Sequence, residues 1–107
     1  MSYHKYLHCI EHCLKCAAMC NHNVYALLQE EDVNKYRQCI QLSSECAAMC
    51  YAAVQMMSLG SHHAREVWGI CSEICLACAA ECEKHSESSH CRETAQTCRI
   101  CDECMSL

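Results

Sequence analysis

Fifteen of the 107 residues are cysteine, and they are spaced regularly. They fall into four groups: Cys9, Cys13, Cys16 and Cys20; Cys39, Cys46 and Cys50; Cys71, Cys75, Cys78 and Cys82; Cys91, Cys98, Cys101 and Cys104. The first and third groups repeat at i, i+4, i+7, i+11, and the second keeps that spacing with Ser43 in the missing slot. Such positions share one face of an α-helix, whereas on a strand they would scatter over both faces. Helical residues at i and i+4 stand about 5–6 Å apart at Cβ. Two metal–sulfur bonds of roughly 2.3 Å span up to ~4.6 Å. Rotamer choice closes the difference, so a Cys-x-x-x-Cys pair can clamp one ion without moving the backbone. A Cys-x-x-Cys pair, such as Cys13/Cys16 or Cys75/Cys78, can bridge to the next level.

Thiolates select soft metals: Cu(I), zinc or iron–sulfur clusters. Charge helps to choose among them. A Cu(I) ion that replaces one thiol proton leaves the core electrically unchanged, so a buried column can fill toward one copper per sulfur. A zinc ion held by four thiolates carries a net charge of about −2 and needs compensating donors when buried. No Lys or Arg interrupts the cysteine stripes to supply them. Structural zinc and iron–sulfur sites also usually draw their ligands from loops or turns. The alternatives are a zinc or mixed-metal thiolate buffer and a four-helix iron–sulfur electron carrier. Colour separates the last: an iron–sulfur protein is brown, while Cu(I) and Zn(II) thiolates absorb only in the ultraviolet.

The elements that must position these thiols are helices. Ala, Leu, Glu, Gln, Lys and Met fill the space between cysteines, and all are good helix formers. Cys16-Ala-Ala-Met-Cys20 recurs as Cys46-Ala-Ala-Met-Cys50 and, loosely, as Cys78-Ala-Ala-Glu-Cys82, at offsets of 30 and 32 residues. A period of that length suits one long helix plus a turn. Helix one is expected over Tyr3–Gln29, and helix two from an Asp32 N-cap to Ser58. Gly60 suits the left-handed C′ position and Ser61 caps helix three, which reaches Lys84 or His85. Ser88 or Ser89 then caps helix four, which runs to Met105. Short connections make neighbours antiparallel. The expected fold is all-α: an antiparallel up-down-up-down four-helix bundle with a cysteine-lined core, one domain over residues 1–107.

Simpler readings of the same residues account for less of the pattern. A lone free cysteine is most often a small buried hydrophobe, yet apolar packing alone does not choose Cys over Ala or Leu fifteen times. Disulfides fit poorly, because an i, i+4 pair on a continuous helix has the wrong geometry and the number is odd. His8 and His12 flank the stripe and read as surface or subunit-contact residues. His4, His62 and His63 read as solvated near helix ends. His22, His85 and His90 gather at one end of the bundle, where His85 and His90 are candidate ligands that hand metal to the column. Met19 and Met49 read as packing. The helix directions place Cys20, Asn23, Tyr36, Cys39, Cys82, His85, His90 and Cys91 at one, polar end. Tyr6, Val54, Met57, Trp68 and Met105 form an apolar plug at the other.

Composition excludes several classes. The formal charge is −5, with only eight Lys and Arg, scattered along the chain. That argues against nucleic acid and anionic membrane as partners. No run of ~18 apolar residues is present. The segment from Met1 to Cys9 has no apolar signal region and no twin arginine. A cytosolic chain is therefore expected, in a compartment that keeps thiols reduced. There is no Pro, and Gly60 and Gly69 are the two glycines, too few turn residues for a β sandwich or an α/β domain. No Ser/His/Asp order or carboxylate pair stands out, so no enzyme is expected.

The motifs Cys9-Ile-Glu-His-Cys13-x-x-Cys16-x-x-x-Cys20-Asn-His, Cys39-Ile-x-Leu-x-x-Glu-Cys46-Ala-x-x-Cys50 and Ile70-Cys71-x-x-Ile-Cys75-x-x-Cys78-x-x-Glu-Cys82-x-Lys-His85, followed by His90-Cys91, span essentially the whole chain. Together they resemble the bacterial cytosolic copper storage proteins. The resemblance implies a homotetramer of bundles, each holding many Cu(I) ions through thiolates along its axis, with copper entering where helix three meets helix four. A copper chaperone or efflux component would be the exchange partner. Asn23, Leu27, Trp68 and Thr94 stand at positions that look like cysteine sites in denser members of the family. A lower capacity is expected here, with Trp68 shortening the column at its end.

Overall fold

A computed structural model describes residues 3–105, with side-chain surroundings from residue 6 onward. Helix α1 spans Tyr3–Leu28, α2 Arg37–Ser58, α3 Ala64–Glu83 and α4 Ser89–Met105, and a 3-10 turn over Val33–Tyr36 precedes α2. Each helix packs on its neighbours in sequence, and α4 closes the ring against α1. The diagonal pairs α1/α3 and α2/α4 do not meet at the backbone. Cys16 touches Cys46 while Asn23 touches Ser43, so α1 and α2 run in opposite directions. The expected up-down-up-down bundle is present, 47 × 18 × 18 Å in extent. No described helix is long and apolar enough to cross a membrane.

Side-chain size sets how closely the helices approach. Ala17, Ala47, Ala53, Ala79 and Ala95 are buried beside the cysteines. Large buried side chains are kept for the ends: Leu27 and Tyr36 near the α1–α2 turn, and Tyr6, Met57 and Met105 at the opposite end. Fully burying such a side chain stabilises by ~1.5–3 kcal/mol. On the surface, Arg99 forks onto both carboxylate oxygens of Glu83 at 2.6 and 2.7 Å, tying α4 to α3.

The helix boundaries differ from the sequence expectation at three turns. Helix one stops at Leu28 rather than Gln29. Asp32 precedes a 3-10 turn, makes no side-chain cap, and α2 begins only at Arg37. The cause is Tyr36, whose non-helical backbone turns its ring into the bundle end, where its hydroxyl donates to Glu87 at 3.0 Å. Ser61 does not open helix three directly: its Oγ accepts from the His63 N–H at 3.0 Å, and α3 starts at Ala64 and ends at Glu83, short of Lys84. Ser88 is the realised cap of α4, its Oγ accepting the Cys91 N–H at 3.2 Å. Gly60 has the expected left-handed backbone, φ +62°.

Two outcomes follow. Gly60→Ala leaves the space around it open but forces a side chain into the left-handed region, so it should lower unfolding stability by about 1–2 kcal/mol in urea melts. An unchanged midpoint would show that the turn tolerates another backbone. The reduced, metal-free chain should show a helical far-ultraviolet circular dichroism spectrum, because alanine-rich helices and apolar ends suffice for folding. A coil spectrum would mean that metal creates the fold, as in a zinc finger.

Candidate metal-binding column

All fifteen cysteines are buried and free. The helical stripes turn them toward the axis, which they share with the buried Asn23, Ser43 and Thr94. Their contacts form a continuous series through the inner bundle. Cys46 Sγ lies 3.4 Å from Cys75, 3.8 Å from Cys16 and 3.9 Å from Cys98. Cys98 lies 3.8 Å from both Cys16 and Cys20. Further along, Cys50 meets Cys71 at 3.7 Å, and Cys13 meets Cys101 at 3.6 Å.

Four sulfur groups have all their ligand atoms within 4.8 Å of one another: Cys16/Cys46/Cys50/Cys75, Cys16/Cys20/Cys46/Cys98, Cys13/Cys50/Cys101 and Cys39/Cys82/Cys91. That spacing matches the ~4.6 Å that two metal–sulfur bonds can span. Cys16, Cys46 and Cys50 each belong to two groups. A metal in one group therefore shares thiolates with the next, which suits a chain of bridged ions better than isolated tetrahedral sites.

Buried thiols have few partners besides one another, and this splits their acidities. Hydrogen bonds to Cys16, Cys20, Cys50 and Cys75 pull the Cys46 thiol down against its burial. Hydrogen bonds with Cys16, Cys20, Cys46 and Cys78, joined by burial, push Cys98 up. At the far end, burial pushes the Cys9 thiol up. Cys9 donates to the Cys104 carbonyl at 2.8 Å and Cys104 to the Cys101 carbonyl at 3.1 Å.

The two ends differ as expected in chemistry. At one, Cys39 joins Glu81 and His85 in a fifth group within ligand range. His85 Nε2 lies 3.3 Å from Glu81, and its Nδ1 lies 3.8 Å from Glu87. Lys35 at 3.0 Å, the Glu87 backbone and the Tyr36 hydroxyl hold the Glu87 carboxyl down to about 2. Tyr36 and His85 also touch, with ring centroids 5.0 Å apart. His90 packs against His22 at 5.3 Å and belongs to none of these ligand groups among the described residues. Cys20 lies one level deeper than the mouth, among Cys16, Cys46 and Cys98. At the opposite end Tyr6 and Trp68 meet edge to face at 5.4 Å. The indole Nε1 there is buried without a partner. A cavity of about 220 Å³ beside them is lined by Tyr6, Gly60, Ser61, His62, Ala64 and Arg65. His8 and His12 pack on each other at 4.5 Å, His62 and His63 are exposed, and the side chain of His4 lies outside the described residues. Glu81 is the member of the mouth that sequence reasoning missed; its i, i+4 spacing to His85 is the signal that could have found it.

The sequence profile of the copper storage protein family matches residues 2–107, and the chain belongs to that family. A solved structure of Cu(I)-bound copper storage protein BsCsp3 is 36% identical, with a TM-score of 0.91 over 95% of each chain. A cytosolic copper storage protein from Streptomyces lividans, solved with five coppers, is 32% identical, with a TM-score of 0.92 over 97% of this chain and 91% of the other. An uncharacterized cysteine-rich protein of Bacillus subtilis (strain 168), YhjQ, is 38% identical over 92% of each chain.

Single Cys-to-Ser changes at Cys13, Cys46, Cys75 or Cys98 should each lower Cu(I) capacity only slightly in anaerobic titrations, because neighbouring sulfurs share ions. Loss of all binding from one change would point to a single defined site.

Proposed function

We propose that this chain is a cytosolic Cu(I) storage protein that holds many ions on its buried thiols. The observation that carries the reading is the sharing of Cys16, Cys46 and Cys50 between neighbouring sulfur groups. Each Cu(I) that replaces a proton there leaves the low-dielectric core neutral, whereas a column of zinc sites would accumulate buried negative charge. The ligands are Cys9, Cys13, Cys16, Cys20, Cys39, Cys46, Cys50, Cys71, Cys75, Cys78, Cys82, Cys91, Cys98, Cys101 and Cys104. His85 and His90 are ligands in transit. The role is storage, not catalysis. The exposed side chains of Leu14, Tyr25, Tyr51, Ile70 and Leu76 support association into a homotetramer. A copper chaperone or an efflux component would supply or withdraw the metal. The cytosolic relative supports the same compartment for this chain.

Anaerobic titration should approach one Cu(I) per cysteine, with zinc displaced by copper. Saturation at three or four ions, with zinc competing equally, would contradict storage.

Copper enters at the polar mouth, because an apolar constriction strips water from an ion without offering a replacement ligand. Neutral histidine binds Cu(I) and passes it to a thiolate, which holds it more strongly. His85→Ala combined with His90→Ala should therefore slow loading from a Cu(I) chelator in stopped-flow, with final capacity nearly unchanged. An unchanged rate, with faster loading after Trp68→Ala, would put the entrance at the opposite end.

A further inference from the structure

The ligand group formed by Cys39, Glu81 and His85 differs in kind from the sulfur groups. It joins a thiol of α2 to a carboxylate in the last turn of α3 and to an imidazole just beyond it, with the three ligand atoms within 4.8 Å of one another. His85 Nε2 lies 3.3 Å from Glu81 Oε2. A tetrahedral ion with bonds of ~2.0–2.1 Å to nitrogen and oxygen needs an edge of about 3.3 Å between them. Lys84 Nζ holds the other Glu81 oxygen at 3.2 Å. The second imidazole nitrogen of His85, Nδ1, lies 3.8 Å from Glu87. Glu87 is itself fixed by Lys35 and by the Tyr36 hydroxyl, each at 3.0 Å. A carboxylate behind the outer nitrogen is the arrangement that orients a metal-bound histidine.

Donor type and charge choose the ion. One sulfur, one nitrogen and one carboxylate oxygen form a borderline set, which suits divalent zinc better than soft Cu(I). A thiolate and a carboxylate together cancel the two charges of Zn(II), so the filled pocket is neutral. Cu(I) on the same three ligands would leave one negative charge among largely buried side chains. The all-sulfur groups reverse that sum, and there Cu(I) is the neutral choice. The His85 and Glu81 side chains are 12% and 16% exposed, so water reaches a fourth, open position. Cys39 is fully buried and forms the inner ligand.

We propose that Cys39, Glu81 and His85 form a zinc site in the copper-free bundle, with Glu87 as the positioning residue behind His85. The zinc ion holds the Cys39 thiolate until copper arrives. Cu(I) then takes that thiolate, because sulfur binds the softer ion more strongly. One carboxylate and one imidazole are too few to keep the zinc, so copper loading releases one zinc ion per chain. The displacement rests on the storage reading; the zinc site does not.

The experiment adds Co(II), a coloured stand-in for zinc, to the reduced, metal-free protein under anaerobic conditions, up to one equivalent. The expected spectrum is that of a tetrahedral ion with the charge-transfer intensity of one thiolate, and one equivalent of Zn(II) should abolish it. Glu81→Gln, which keeps the shape and removes the charge, should weaken this first ion by at least about tenfold, since even an orienting partner is worth ~10–100-fold. His85→Ala makes the same test, and circular dichroism shows which variants are folded. A first ion bound by two or more thiolates, or an unchanged affinity in either folded variant, overturns the site. Cu(I) is then added to the zinc-loaded wild type with a zinc-sensitive dye. Release of one zinc supports the displacement, and zinc retained at full copper loading overturns it. A wild type that binds only a few Cu(I) ions overturns storage, while a one-thiolate cobalt spectrum leaves the zinc site standing.

Discussion

Sulfur-to-sulfur contact along the axis, 3.4–4.0 Å from pair to pair, is the interaction on which the bundle's other features depend. A thiol is a weak donor and a weak acceptor, small enough to pack as a hydrophobe. Fifteen of them can therefore leave water together without the desolvation cost that hydroxyls or carboxylates would impose. The separation that lets them pack as thiols is also one that two metal–sulfur bonds can bridge. Packing without metal and ligation with it thus require the same helix spacing. The alanines beside the cysteines bring neighbouring helices close, while the diagonal stays open by the width of the sulfurs.

Charge organises the rest. The inner column holds no cationic or anionic side chain among its fully buried members. Its capacity for ions then depends on exchanging each proton for one monovalent metal. At the mouth, Glu81 and Glu87 flank His85 and Lys35 pairs with Glu87. A net charge of −5 gives the whole molecule a field that favours approaching cations. The opposite end is closed by Tyr6 against Trp68 and by Met57.

The helices and the column were legible in the sequence because cysteine marks the buried face more sharply than any ordinary apolar residue. Helix directions put Cys39 and Cys82 at the same end, where their sulfurs lie 3.8 Å apart. What spacing could not show was how aromatic burial reshapes a turn. Tyr36 is drawn inward, so Asp32 opens a 3-10 turn and not α2. Nor could it separate His85 from His90, which lie five positions apart and face different neighbours: Glu81 and Cys39 for one, His22 for the other. Glu81 escaped notice because a glutamate on a helix is ordinarily a solvated face; here the helix end tucks it beside a thiol and an imidazole. Asn23 and Ser43 were visible as gaps in the cysteine pattern, but their hydrogen bond to each other needed the bundle to bring two helices together.

Metal analysis of the protein isolated anaerobically from copper-supplemented cells tests the central claim most directly. The expected result is many copper ions per chain, little zinc or iron, and no visible colour. A brown protein carrying iron, or a chain filled with zinc while copper is abundant, would contradict a column built for Cu(I).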